Sequence, residues 1–101
     1  NTIAIRLARP ADAPAWAGHT DRFSVTNASR ILIHPSMVRR DVIAHELGHA
    51  MGLRDEASGV MVPFAAGDGE HRIGCADVAQ WCEQWLEDAC ACDAKVLEAQ
   101  R

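Results

Sequence analysis

The first third of the chain alternates apolar and polar residues, which predicts a small β-sheet. Over Thr2–Leu7, isoleucine or leucine recurs at every second position, a pattern typical of a half-buried strand. Pro10 and Pro14 then interrupt regular structure. Trp16 follows them, and we expect this large aromatic side chain to be buried in the core.

Two further strands are predicted next, joined as a hairpin. Arg22–Thr26 places Phe23 and Val25 on one side, and Arg30–His34 is rich in β-branched residues. Residues 27–29, Asn-Ala-Ser, favour a turn between the two strands.

The pattern changes to a helical one between Ser36 and Met51. Ser36 is suited to cap this helix, and Asp41 lies near its positive end. We expect four apolar side chains to pack inward: Val38, Val42, Leu47 and Met51. Arg39 and Arg40 are expected to be solvated.

A second helix is predicted from Cys75 to about Glu87, with Asp77 favouring its N-terminus. Its apolar stripe consists of Val78, Trp81, Cys82, Trp85 and Leu86, and we expect both tryptophans in the core. Strands followed by helices in 101 residues predict a single domain, residues 1–101, of the α+β class with a small twisted mixed sheet.

Four cysteines, Cys75, Cys82, Cys90 and Cys92, lie in the last third of the chain. On one straight helix, residues seven apart are separated by about 10.5 Å, beyond the limit of about 7 Å between the Cα atoms of a disulfide. Disulfides therefore require the chain to double back near residue 88. Nested pairs, Cys82 with Cys90 and Cys75 with Cys92, then become natural.

In that arrangement Asp93 would start a last short helix through Leu97. Four free thiols or another linkage remain alternatives, as does a metal site that uses Cys90 and Cys92.

The first helix contains the motif His45-Glu46-Leu-Gly-His49. Residues four apart lie above one another on a helix, so the two imidazoles can bind one metal ion. Glu46 follows the first histidine and can reach a metal-bound water without being a ligand, which is the position of a general base.

The residues after His49 suggest a third ligand. Gly52 tolerates positive φ, so it can end the helix and turn the chain back, bringing Asp55 to the same metal. Two imidazoles and one carboxylate leave a fourth tetrahedral position for water, as in catalytic zinc sites. His71 is a rival third ligand, ranked lower because Gly52 places Asp55 so directly.

This motif resembles that of the metzincin metallopeptidases, HExxHxxGxx followed by His or Asp. The aspartate form is similar to that of the small snapalysin-type secreted proteases. The resemblance implies one catalytic Zn²⁺ held by His45, His49 and Asp55, with Glu46 as general base and acid in peptide-bond hydrolysis. It also implies a sheet beside the zinc helix and a C-terminal helix beneath the zinc site.

A second resemblance lies at Ala57–Pro63. Metzincins place a methionine-containing turn beneath the metal, and Met61, with Ser58 before it and Pro63 after it, resembles the matrixin form. A generic core methionine is the alternative. Astacin-like members carry a tyrosine two residues after this methionine, whereas this chain has Pro63 there and no tyrosine at all. An oxyanion would therefore rely on the metal and on backbone N–H groups.

Residues 64–74 are rich in glycine and charge and predict a surface loop. In the family, the loop after the methionine turn forms a pocket wall, which implies a substrate pocket lined by Pro63 and Phe64; burial of Phe64 in the core is the alternative. Asp68 and Glu70 give a weak indication of calcium, because the EF-hand spacing is missing. The resemblance also implies that extended substrate pairs with an edge strand, near residues 23–25.

Composition limits the partners. A net charge of −4 without a basic cluster argues against binding to nucleic acid or to an anionic membrane, and no apolar run is long enough to span a bilayer. The expected partner is a protein or peptide substrate, and a monomer is the default. The resemblance and the even cysteine count predict a secreted protein. With no signal peptide at Asn1, we expect a processed form or an excised domain.

Two other classes of protein fit parts of the pattern. A gluzincin-type hydrolase would take its third ligand from a downstream helix, for example Glu83. A zinc-stabilised binding domain without activity would keep the two histidines, but it would have no use for Glu46. A peptide deformylase needs a cysteine ligand upstream of the motif, and no cysteine precedes Cys75.

Overall fold

A computed structural model describes most of the chain, namely residues 2–9, 16–23, 28–64, 68–86 and 90–99. Three strands form one mixed sheet: β1 (Thr2–Leu7), β2 (Gly18–Phe23) and β3 (Ala28–Ile33). Their order is β1-β3-β2, with β1 parallel and β2 antiparallel to the central strand β3.

Three α-helices accompany the sheet within the described residues. A 3₁₀ turn (Pro35–Met37) leads to α1 (Arg40–Ala50). Helix α2 (Cys75–Trp81) continues as a π-helical segment (Cys82–Leu86), and α3 (Ala94–Ala99) follows. This arrangement confirms the α+β class and the mixed sheet. None of the described helices has the length and apolarity needed to cross a membrane.

The core lies between the sheet and α1. Alternate residues of β3, Ile31 and Ile33, are buried beneath the helix, as expected for a strand with one covered face. Ala17, Met37 and Val42 complete the buried cluster. Helix α1 packs on β2 and β3, and Glu46 of the helix contacts Gly18 and Thr20 of β2.

The strand predicted over Thr2–Leu7 is confirmed, but the prediction that one of its faces is buried is wrong. Every residue of β1 is exposed, and Ile3, Ile5 and Leu7 retain 45%, 48% and 62% of their accessible surface. The reason is that α1 covers β2 and β3 and leaves β1 without a partner layer among the described elements.

The predicted hairpin is confirmed, but its first strand lies earlier in the chain than expected. Strand β2 covers Gly18–Phe23 instead of Arg22–Thr26, and its last residue, Phe23, pairs with Ala28, the first residue of β3. Backbone pairing to β3 sets this register, since β2 has little apolar patterning of its own. Trp16 is half-buried, with its ring 5.7 Å from that of His19. The predictions for Pro10, Pro14, Val25 and the turn at Asn27 fall outside the described residues.

The start of α1 also differs from the prediction. Ser36 lies in the 3₁₀ turn, where its backbone N–H donates to His34 Nδ1 (3.1 Å), and it does not cap α1. Val38 is 54% exposed because it lies in the link between the two helical segments. The predicted burial of Val42 is confirmed.

Arg39 was expected to be solvated, but its side chain forms an ion pair and several hydrogen bonds. Its guanidinium donates to both carboxylate oxygens of Asp41 (3.0 and 2.9 Å) and to the carbonyl oxygens of Asp68 and Gly69. Burial alone would raise the pKa of Asp41, but the Arg39 guanidinium and the backbone N–H of His71 outweigh it and hold that pKa below its usual value. This ion pair joins the start of α1 to the loop at 68–71.

The nested disulfides are confirmed. Cys75–Cys92 and Cys82–Cys90 join Cα atoms 5.6 and 5.9 Å apart. All four cysteines are bonded, which removes both the free-thiol and the cysteine metal-site alternatives. The carboxylate of Asp93 accepts the backbone N–H of Lys95 and so starts α3. Two disulfides indicate an extracellular or otherwise oxidising compartment.

The prediction that Trp81 and Trp85 belong to the core is wrong. Their side chains are 40% and 52% exposed and lie side by side, with ring centroids 5.7 Å apart. The buried residues of this region are instead Asp77, Gln80 and Cys82, because the face of α2 that turns inward binds backbone groups of neighbouring loops.

Candidate metal centre

Helix α1 and the turn that ends it bring three metal-binding side chains together. Gly52 has φ +94°, a conformation that favours glycine, and its N–H donates to the His49 carbonyl (3.0 Å). The N–H of Leu53 donates to the Gly48 carbonyl (2.9 Å), which completes a Schellman motif. The chain then reverses and places Asp55 beside His45 and His49, as the sequence predicts.

The donor atoms of these three residues converge. His49 Nε2 lies 3.0 Å from both His45 Nε2 and Asp55 Oδ1, and His45 Nε2 lies 3.5 Å from Asp55 Oδ1. Donors bound at 2.0–2.1 Å to a tetrahedral zinc ion lie about 3.3 Å from one another. The three side chains therefore already have nearly the spacing that a single bound ion needs.

Backbone carbonyls determine which ring nitrogens face the centre. His45 Nδ1 donates to the Val60 carbonyl (2.7 Å) and His49 Nδ1 to the Leu53 carbonyl (3.0 Å). Because a carbonyl only accepts, both Nδ1 atoms carry hydrogen there, and each ring turns its Nε2 atom toward Asp55. Nε2 is then the ring atom that each histidine offers to a metal ion. His45, His49 and Asp55 can thus hold a metal ion, and these carbonyls orient its ligands.

Glu46 lies beside the three ligands without joining them. It is 4% exposed, and its Oε2 is 3.9 Å from His45 Nε2. The hydroxyl of Thr20 on β2 donates to its Oε1 (2.6 Å). A side chain at Gly18 would come within 2.8 Å of the Glu46 side chain, so glycine leaves room for it. Strand β2 therefore positions this carboxylate.

Thr20 and Gly18 are site residues that the sequence analysis missed. Both lie just before the strand predicted at Arg22–Thr26, in a segment for which no element was predicted from the sequence. A polar residue and a glycine two positions apart give no signal in the sequence, because their role depends on pairing with β3.

Met61 lies under α1. It is fully buried, and a side chain at Gly48 would come within 2.6 Å of its sulfur, so the methionine packs tightly against the helix between the two histidines. The turn around Met61 also provides the Val60 carbonyl that orients His45. The structure thus places Met61 against the helix that carries both histidines, and its assignment as a methionine turn beneath a metal stays a prediction.

A buried carboxylate holds that turn in place. Asp77 at the start of α2 is 5% exposed and accepts the backbone N–H groups of Val60 (2.8 Å), Met61 (3.1 Å) and Gly74 (2.8 Å). Gly59 has φ +84°, and a side chain there would collide with this carboxylate. From the sequence, Asp77 was predicted only to favour the helix N-terminus; its link to His45 through the turn was missed.

Asp77→Ala is expected to lower the free energy of unfolding by about 3 kcal/mol or more, because it leaves three N–H donors without their charged acceptor. Urea denaturation of the oxidised, metal-free protein measures this loss. Asp93→Ala is a matched control: it removes an exposed carboxylate with one N–H partner, for which about 1 kcal/mol is expected. Equal losses in the two variants would contradict the role given to Asp77.

Gln80 fixes the segment that carries Asp55. Its side-chain amide accepts the N–H of Arg54 (2.8 Å) and donates to the Arg54 carbonyl (2.7 Å). This paired contact holds the backbone next to the third ligand. Gln80 was also missed, since a glutamine within a helical pattern resembles a solvated residue.

The three candidate ligands open into a cleft of about 560 Å³, and Pro63 and Phe64, the residues expected at a substrate pocket, line part of it. Phe64 is half-buried and meets His45 edge-on, with ring centroids 5.3 Å apart, so it both lines the cleft and packs against the core. His71 stacks on Phe64 (3.9 Å) and does not join the ligand group.

Other acidic residues that were considered as ligands also lie outside the group found in the described residues. Glu83 is exposed on the π-helical segment, and neither Asp68 nor Glu70 belongs to the group. The structure thus favours Asp55 as the third ligand over a glutamate from the downstream helix.

No protein-family model, curated protein or solved structure matches this chain. The geometry is that of an open group of two imidazoles and one carboxylate that can hold a metal ion, with a positioned glutamate beside it.

Proposed function

We propose that this protein is a zinc-dependent endopeptidase of the metzincin type. The observation that carries the proposal is the position of Glu46, a buried carboxylate that Thr20 holds beside three convergent ligand atoms. A structural zinc site uses four protein ligands and needs no such carboxylate. Two histidines and an aspartate, ligands typical of zinc, leave one coordination position for a reactant.

The residues of the chain divide the chemistry between them. His45, His49 and Asp55 would hold the zinc ion, which when bound supplies Lewis acidity toward the scissile carbonyl and lowers the pKa of water. Glu46 takes the proton from the attacking water and passes it to the amine that leaves when the peptide C–N bond breaks. Thr20 orients the carboxylate for both steps.

Strand β2 supports a site for an extended peptide. It is an outer strand of the described sheet, with β3 on one side, and Gly18, His19 and Thr20 line the cleft. A substrate strand that pairs with the free edge of β2 would run past Glu46 and the ligands. Pro63 and Phe64 form the wall on the other side of the ligand group.

The compartment fits such an enzyme. The two disulfides indicate oxidising surroundings, and within this proposal the protein is secreted and acts on extracellular proteins or peptides.

Metal removal tests the proposal. Zinc-loaded protein is expected to hydrolyse a fluorescent casein, and chelation followed by dialysis should lower the rate by at least about a hundredfold, because ligands alone cannot polarise the carbonyl. Adding one equivalent of Zn²⁺ should restore the rate, whereas Mg²⁺ should not, since it prefers oxygen ligands.

Hydrolysis that survives chelation would contradict the proposed metal dependence. One bound zinc ion with no hydrolysis of casein or of a random peptide library would instead favour a zinc-stabilised binding domain.

A further inference from the structure

Two arginines line the cleft without a charged partner. Arg22 on β2 and Arg54 before Asp55 are both exposed, and neither side chain forms an ion pair or hydrogen bond in the described part of the chain. Other arginines are occupied: Arg30 pairs with Asp21 (2.7 Å), and Arg39 with Asp41. Among the described arginines, Arg6 and Arg40 also lack such a partner, but neither lines this cleft, whereas Arg22 and Arg54 do.

Both arginines lie at the Asp55 end of the cleft. Arg22 follows Gly18 and Thr20 on the face of β2 that meets Glu46, and its Nη1 comes within 3.6 Å of the position that a side chain on Gly52 would take. Arg54 directly precedes Asp55, and Gln80 fixes its backbone.

The charge of the site makes these arginines important. The charges of a metal dication, Glu46 and Asp55 cancel, and the metal-binding histidines are neutral. Arg22 and Arg54 therefore give the loaded cleft a net positive charge, although the whole chain carries −4. A concave site of one sign concentrates the field and attracts ligands of opposite charge.

We infer that the cleft selects peptides that carry a carboxylate close to the scissile bond, bound by Arg22 and Arg54. Arg22 is two residues beyond Thr20, about 7 Å along the strand, which corresponds to about two residues of an extended substrate. The carboxylate is either an Asp or Glu side chain within two residues of the bond or the C-terminal carboxylate. This inference rests on the proposed peptidase function.

Binding to an inactive variant tests the inference separately from hydrolysis. The probe is a fluorescein-labelled heptapeptide of alanine and leucine in which one glutamate is scanned through the inner positions. Each peptide has a glutamine twin, and each pair is made with a free and an amidated C-terminus. Fluorescence anisotropy gives Kd for zinc-loaded Glu46→Gln alone and combined with Arg22→Gln, Arg54→Gln or both. Arg6→Gln, on exposed β1, is the matched control.

The peptide whose glutamate occupies the best of the scanned positions is expected to bind at least about tenfold more tightly than the same peptide with glutamine there, as a charge-assisted contact allows. Each arginine substitution should reduce this ratio, the double substitution should bring it close to one, and Arg6→Gln should leave it unchanged. The ratio should also fall as salt is added. The glutamate pairs and the free-acid/amide pairs show which carboxylate is recognised.

Equal affinities for acidic and neutral twins would overturn the inference. So would a preference that survives the double substitution, because the carboxylate would then bind the metal directly. Cleavage of the same peptides by the wild-type protein is measured in parallel. If acidic peptides bind more tightly but no peptide is cleaved, the proposed endopeptidase activity is rejected, whereas the binding site for carboxylate ligands is kept.

Discussion

Glu46→Gln is expected to lower kcat for peptide hydrolysis by about a thousandfold, within the range typical of a lost general base. Glutamine has nearly the same volume, and its amide oxygen can still accept the hydrogen bond from Thr20. It cannot accept a proton from water, so only the proton transfer is lost. The variant should bind one zinc ion per chain, because Glu46 is not a member of the ligand group.

The measurement is the steady-state rate on a fluorescent peptide, with zinc content determined on the same samples. Glu70→Gln removes an exposed carboxylate outside the ligand group and should keep the wild-type rate. Retention of more than about a tenth of the activity in Glu46→Gln would remove this residue from the mechanism.

Asp55→Ala is expected to weaken zinc binding by at least about a hundredfold, because it removes one of three protein ligands and the only anionic one. Competition with a chromophoric chelator measures the affinity, and circular dichroism checks that the fold is intact. Asp55 is 54% exposed, so its loss should cost the metal-free protein little stability.

Glu83→Ala is the matched control, since Glu83 would be the third ligand in a gluzincin-type site. We expect its zinc affinity to be unchanged. Loss of zinc in Glu83→Ala together with retention in Asp55→Ala would reverse the assignment of the third ligand.

The parts of the site that local geometry determines were predicted from the sequence. His45 and His49 share a helix face because of their spacing, and Gly52 turns the chain because only glycine takes its φ of +94° easily. The pairing of the cysteines followed in the same way, from the length of a helix against the reach of a disulfide.

The parts that depend on contacts between distant segments were not predicted. The position of β2 is set by pairing with β3, so the residues next to Thr20 in the sequence do not indicate that it contacts Glu46. Buried carboxylates and amides that bind backbone groups, such as those of Asp77 and Gln80, leave no periodic pattern in the sequence.

Apolar patterning was misleading where an element lacks a covering layer. Trp81 and Trp85 belong to a regular helical stripe, yet both side chains face outward. The inward face of α2 instead makes hydrogen bonds to the loops beside the candidate metal site. The isoleucines of β1 are also exposed, since α1 does not extend over that strand.

The nested disulfides have a consequence for survival among other proteases. A cut in the backbone between Cys82 and Cys90 leaves the two fragments joined by both disulfides, so the segment with α3 stays attached to α2 and the rest of the domain. The hairpin between β2 and β3 has no such covalent protection, and a cut there would release the strand that positions Glu46. Digestion should therefore inactivate the protein through its N-terminal half first.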